Sequence, residues 1–216
     1  MMISIGLRTG FRQKNLRELR IFEQGNSEIP LEQLIELRCG QISFCKESKL
    51  WRVFVPHHAF KNSSSGYFKG RHYRLDLSDS GELYPLLEEY VTYGRPALLA
   101  GRTDENFLFT KNMRSKRVNS SGYSETGFYE AWRQIIQRYG IYNPYTKRGA
   151  IRGLLPHGPH AVRHILATHV IKTTGSFEMA GYAIQDTAEM VERHYARFLP
   201  QDKAGIAAAV LRDCWT

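Results

Sequence analysis

Cysteine is scarce in this chain, and acidic side chains are few beside basic ones. Only Cys39, Cys45 and Cys214 occur, with neither a CxxC nor a Cys/His metal spacing. A disulfide framework and a zinc centre are therefore not expected, and nothing in the sequence asks for a metal or other cofactor. No run of about 18 apolar residues is present, which excludes a membrane-spanning helix. The start, MMISIGLRTG, lacks the charged, apolar and small-residue regions of a secretory signal. A cytoplasmic protein with no membrane partner is the expectation. Asp and Glu total 21 against 30 Lys and Arg, a formal net charge of +9. A field of that sign favours polyanionic partners, nucleic acid first.

What is present suits a globular protein: 216 residues, 42% of them hydrophobic, enough for one domain with a substantial core or for a domain with appendages. Apolar residues recur at helical spacing on both sides of Thr9-Gly10, so one helix is predicted to end there and a second to begin near Arg12. The stretch 24–38 reads as a short helix or a loop. From Gly40 the pattern becomes strand-like, with QISF, WRVFV and, after SSSG, RHYRLDL alternating at Tyr73, Leu75 and Leu77. Three short antiparallel strands are predicted. Asp79 to Glu82 has the form of a capping box opening a helix through Val91, with Gly94 and Pro96 to stop it. The basic, turn-rich segment 111–124 reads as a solvated loop able to touch a nucleic-acid backbone. Ser124 is placed as the cap of an amphipathic helix running to Tyr139, with Phe128, Trp132, Ile135 and Ile136 facing a core.

The richest chemistry lies between Pro159 and Pro200. His160 and Arg163 share one face of a predicted helix, about 5–6 Å apart at Cβ, close enough to serve one small anion. The planar fork of arginine matches phosphate oxygens, and histidine donates hydrogen bonds or acts as a base near neutral pH. Taken alone, an HxxR pair is accounted for by a helix-start histidine and a solvated arginine. Gly175 ends that helix, a short helix follows, and Tyr195 comes later, flanked by His194 and Arg197. Asp186-Thr-Ala-Glu189 again has capping-box chemistry, a complete structural account of Asp186. After Pro200, AGIAAAVL reads as an apolar helix.

HAVRHILATH, the glycine after it and the late tyrosine resemble the signature of the tyrosine recombinases, the phage-integrase family, whose consensus runs roughly HxLRHTFATH. TGFRQKNLREL resembles the family's first arginine motif, TGLRxxELLxL, with Asn15 in the place of the usual acid. The resemblance runs from Thr9 to Leu199. It implies a mixed α+β catalytic domain, mainly helical with a small three-stranded antiparallel sheet, over residues 1–200, followed by a C-terminal helical tail over 201–216. The family's N-terminal core-binding domain is absent from that reading. Implied site residues are Arg12 and Arg163 as phosphate ligands, His160 as base, Tyr195 as nucleophile and Lys61 as the lysine of the β-hairpin, with Lys69 as its rival. The position where the family carries His or Trp falls on Asp186, a departure that opposes the charge logic of a phosphate site.

The implied activity is site-specific recombination or integration of double-stranded DNA through a 3′-phosphotyrosyl bond, without metal or ATP, by a homo-oligomer assembled on DNA. The alternatives are a catalytically degenerate domain that only binds DNA and DNA relaxation of the type IB topoisomerase kind.

Overall fold

The structure is a computed structural model that describes residues 1–115 and 117–195; the expected tail over 201–216, and Arg197 with it, lie outside the described residues. In chain order the helices are α1 (Met2–Thr9), α2 (Gln13–Arg17), α3 (Leu31–Glu36), α4 (Leu83–Glu89), α5 (Arg95–Leu99), α6 (Glu125–Ile135), α7 (His160–Thr174), α8 (Phe177–Ile184) and α9 (Ala188–Tyr195). Three strands, β1 (Gln41–Cys45), β2 (Leu50–Val55) and β3 (Tyr73–Asp76), form one antiparallel sheet in the order β1-β2-β3. The expected mixed α+β architecture, mainly helical with a small three-stranded sheet, is the one found.

β2 explains the sheet's orientation. Trp51, Val53 and Val55 are buried while the residues between them are half-exposed, the period-2 pattern of a strand with one face on a core. That face joins α1, α2 and α6 in one apolar cluster that includes Ile5, Phe11, Leu16, Phe128 and Trp132. A smaller cluster ties α7, α8 and α9 together through Ala167, Ile171, Ala180, Ile184 and Val191, and it holds the ring of Tyr195.

Trp132 marks how closely the large core is packed. It has no exposure, and a Cβ added to Gly6 of α1 would stand 3.0 Å from the rim of its ring. Replacing Trp132 by alanine is expected to cost about 3–5 kcal/mol, because the cavity cannot be refilled by neighbours already in contact. A urea titration followed by circular dichroism measures it; a loss under about 1 kcal/mol would show that the site collapses around the void.

Several predicted boundaries moved. The ambiguous 24–38 stretch opens on the end of a 3-10 turn over Glu23–Gly25 and holds an α-helix only at α3. Ser124 caps α6 as expected, accepting from the Gly127 N–H. Glu82 is not a helical capping partner: it adopts a left-handed conformation, α4 starts after it, and Asp79 Oδ1 accepts from the N–H of Tyr84 at 2.7 Å. Gly94 and Pro96 do not stop the helix either. A π-helical turn over Tyr90–Gly94 lets the Arg95 N–H reach the Tyr90 carbonyl, and α5 continues through Pro96. The widened turn removes the need for the bond that proline cannot make.

Candidate active site

The site begins at the turn between α1 and α2. Gly10 has φ +61, and a Cβ there would stand 2.1 Å from the Ala183 carbonyl oxygen, so glycine alone lets this turn lie against the end of α8. Gln185 secures the contact by donating from Nε2 to the Thr9 carbonyl at 2.7 Å. Phe11, next along, packs edge-on against Phe60 and Tyr73, with centroids 5.8 and 5.1 Å apart. Buried Asn15 donates to the Ala59 carbonyl at 3.2 Å. The residue standing where the family has an acid therefore pins the loop between β2 and β3. Phe11 and Phe60 act as paired anchors, and Arg12, one residue after the first, meets Asn62, two residues after the second: Arg12 Nη1 donates to Asn62 Oδ1 at 2.6 Å.

Arg163 comes from the first turn of α7 and is 97% enclosed, its side chain 3% exposed. Its Nη1 donates to the Gly10 carbonyl at 2.6 Å. Each arginine thus spends one terminal nitrogen on the scaffold and aims the other at the same atom. Arg12 Nη2 lies 3.0 Å and Arg163 Nη2 3.6 Å from Asp186 Oδ2. Two arginines separated by most of the chain converge on one carboxylate oxygen.

Asp186 is not the cap of α9. Thr187 takes that role, its Oγ1 accepting from the Met190 N–H at 3.3 Å, which frees the Asp186 carboxylate to turn toward the guanidiniums. Two cations against one anion leave a net positive charge at the site. Arg163's pKa is brought down to about 10, by burial first and by the neighbouring Arg12 second, while Asp186 opposes the shift. It remains a cation at neutral pH.

Tyr195 ends α9 and is almost wholly buried. Burial raises its pKa above the ordinary phenol value and the Asp186 charge adds to the rise, whereas Arg163 and Arg12 pull it down. The phenol therefore sits in the field of all three charged groups. His160, at the start of α7, has its pKa lowered, first by partial burial and then by His164, Arg163 and Arg12, which keeps it neutral at pH 7 with a lone pair to accept a proton. Its ring lies 4.6 Å from that of His164, whose ring lies 5.5 Å from Tyr195. The His164 ring thus stands beside those of the expected base and the expected nucleophile.

A cleft of about 560 Å³ opens on Asp186, walled by Lys69, Arg71, His72 and Arg74 on the sheet side and by Glu178 and Tyr182 of α8. Lys69 lines it. Lys61 does not, although its neighbour Asn62 bonds Arg12; it is exposed at the start of the same loop. Among the described residues no group of three or more His, Cys, Asp or Glu side chains could hold a metal ion, and no helix is long and apolar enough to cross a membrane.

Sequence reading missed Asn62, His164 and Gln185. His164 had a signal, since it follows Arg163 and shares a helical face with His160. Asn62 and Gln185 had none, because their roles exist only where separate segments meet.

The chain is similar in fold to the XerH site-specific recombinase. That protein's structure, a pre-cleavage complex bound to its difH substrate, superposes with a TM-score of 0.54 at 15% sequence identity, over 97% of this chain and 45% of the recombinase chain. The chain thus spans less than half the length of that relative, and the likeness is one of fold, that of a tyrosine recombinase catalytic domain. No family model and no curated protein matches the sequence.

Proposed function

We propose that this chain cuts and rejoins double-stranded DNA through a transient 3′-phosphotyrosyl bond at Tyr195, acting as a homo-oligomer on its substrate. The reading rests on the two Nη2 atoms of Arg12 and Arg163 aimed at a single oxygen. A non-bridging phosphate oxygen placed where Asp186 Oδ2 now stands would receive both. Preorganised donors of this kind favour the pentacovalent transition state, where charge on those oxygens rises.

In the forward step the Tyr195 oxygen attacks phosphorus and the bond from phosphorus to the 5′ oxygen breaks. The phenol proton passes to neutral His160 or to the neighbouring His164, and the leaving oxygen takes a proton from a lysine. We assign that donor to Lys69, because it lines the cleft onto which Asp186 opens, in preference to Lys61. The covalent bond conserves the phosphodiester's free energy, so rejoining needs no ATP.

Asp186 acts in this scheme as a resident counter-anion. It holds the arginines in place before substrate arrives and yields to phosphate afterwards. Asp186→Asn is expected to tighten binding of duplex DNA by about tenfold, one charge's worth of competition at a partly exposed site. It is also expected to lower stability in the absence of DNA by about 1–3 kcal/mol, since a buried guanidinium loses its partner. Fluorescence anisotropy and urea unfolding read the two effects. Unchanged DNA affinity would remove Asp186 from the phosphate's path.

The same ion pair is the observation that favours the rival reading, a domain that binds DNA without cutting it. Incubation with a nicked suicide duplex, from which the cleaved fragment diffuses away, separates the two. A covalent adduct mapped to Tyr195 by peptide mass spectrometry supports strand transfer; protein that binds the duplex and yields no adduct supports the rival.

A further inference from the structure

We infer that Asn62 is a positioning residue for the phosphate ligand Arg12, and that through it the loop between β2 and β3 reports its own placement to the anion site. The inference deepens the strand-transfer reading and rests on it only in taking Arg12 as an anion ligand.

Three contacts carry it. Asn62 Oδ1 accepts from Arg12 Nη1 at 2.6 Å, and its Nδ2 donates to the Gln185 carbonyl at 2.9 Å. Nδ2 also approaches Ser65 Oγ at 3.4 Å, within the same loop. A carboxamide is the one short side chain that offers an acceptor to a cation and a donor to a backbone carbonyl at once. Serine or alanine would lose the reach, and aspartate would lose the donor while adding charge.

The consequence follows from the planarity of the guanidinium. Arg12 lies at the start of the short helix α2, and its side chain is about a quarter exposed, with 27% of its surface accessible. Left to itself it would sample many rotamers. With Nη1 held by Asn62 the plane is set, and Nη2 is delivered to within 3.0 Å of the oxygen position it shares with Arg163. Arg163 needs no such help, because burial and the Gly10 carbonyl already hold it. Asn62 also ties the loop to Gln185, the residue before Asp186, so a loop displaced from the site releases Arg12. Lys61 and Lys69 both ride on that loop. Clamp and proton donor would therefore be brought to the phosphate together.

The test uses inorganic sulfate as probe, titrated calorimetrically into the full chain. In the wild-type background Asn62→Ala should weaken sulfate binding about tenfold, the value of one lost hydrogen bond to a charged group. In an Arg12→Ala background the same change should have no effect, because the residue acts only through that arginine. Asn62→Asp, which keeps the acceptor toward Arg12 and loses the donor to Gln185, should bind sulfate more weakly still, since it places a second carboxylate on Arg12; urea unfolding beside the titration checks that the variant is folded. Equal losses in both backgrounds would overturn the inference and reduce Asn62 to a structural role. Failure of the wild-type protein to bind sulfate would overturn it as well. Sulfate binding with the predicted coupling, but with no covalent DNA adduct, would sink strand transfer alone.

Discussion

Tyr195→Phe is expected to abolish the covalent protein–DNA adduct on a nicked suicide duplex while leaving duplex affinity within about twofold of wild type, because phosphate contacts with the arginines supply the binding. The substitution removes one oxygen from a ring that the α7–α8–α9 cluster already encloses, so the fold should survive it. Stability should change by less than about 1.5 kcal/mol, as for other near-isosteric swaps. The phenol's environment adds a second expectation, on pH. Burial and Asp186 raise its pKa above the ordinary value, so the reactive phenolate is a small fraction at neutral pH. Adduct formation should accelerate as the pH climbs above 7, and the base chemistry of His160, whose pKa is lowered, is already available there. Persistence of the adduct in Tyr195→Phe, or its appearance on another tyrosine, would end the proposed mechanism.

Arg163→Ala should cost more than the replacement of Arg12, the other guanidinium on Asp186. Loss of one preorganised donor at a developing oxyanion slows catalysis by about 10²–10³-fold. Arg163 is also structural: without it the Gly10 carbonyl loses the donor that it accepts from at 2.6 Å, and the Asp186 carboxylate keeps one cation, Arg12, beside the Thr187 N–H. Breaking a buried pair from one side costs about 3–5 kcal/mol, a large share of a small domain's stability. Arg163→Lys separates the two roles. It keeps the charge, yet an ammonium is a point donor that cannot serve Gly10 and the anion along two fixed directions. We expect Arg163→Lys to fold and to cleave a suicide duplex at least 10²-fold more slowly than wild type, read in single-turnover assays beside urea unfolding. Cleavage by Arg163→Lys at close to the wild-type rate would show that the fork geometry is irrelevant to the reaction.

How much was legible beforehand depends on whether a feature is local. The strands of the sheet, the Ser124 cap and the break at Gly10 were read from the sequence because each depends on neighbours in the chain: alternation, a hydroxyl three residues from its N–H, a glycine where φ is positive. The helix through Pro96 was misjudged because a π-helical turn is a response to packing, with no signature in composition. Asp186 is the instructive failure. Its capping-box spacing was genuine, but Thr187 satisfies the same helix end one residue later. Two guanidiniums brought from distant segments outbid a single backbone N–H for the carboxylate, since charge-assisted contacts are the stronger ones.

The amino-acid sequence by itself determined the parts: a basic chain with no metal-ligand spacing and no spanning segment, the strand and helix patterns, and the identities of Arg12, His160, Arg163 and Tyr195 as side chains able to handle a phosphodiester. Tertiary structure alone decided what those parts do to one another. It set two arginines on one oxygen, turned Asp186 into their counter-ion, put the His164 ring beside those of His160 and Tyr195, lined the cleft with Lys69 and leaned Asn62 on Arg12. The physical reason is range. Propensity and capping act across a few residues and are written in order along the chain, whereas an anion site is made by groups whose spacing in sequence carries no information about their distance in space.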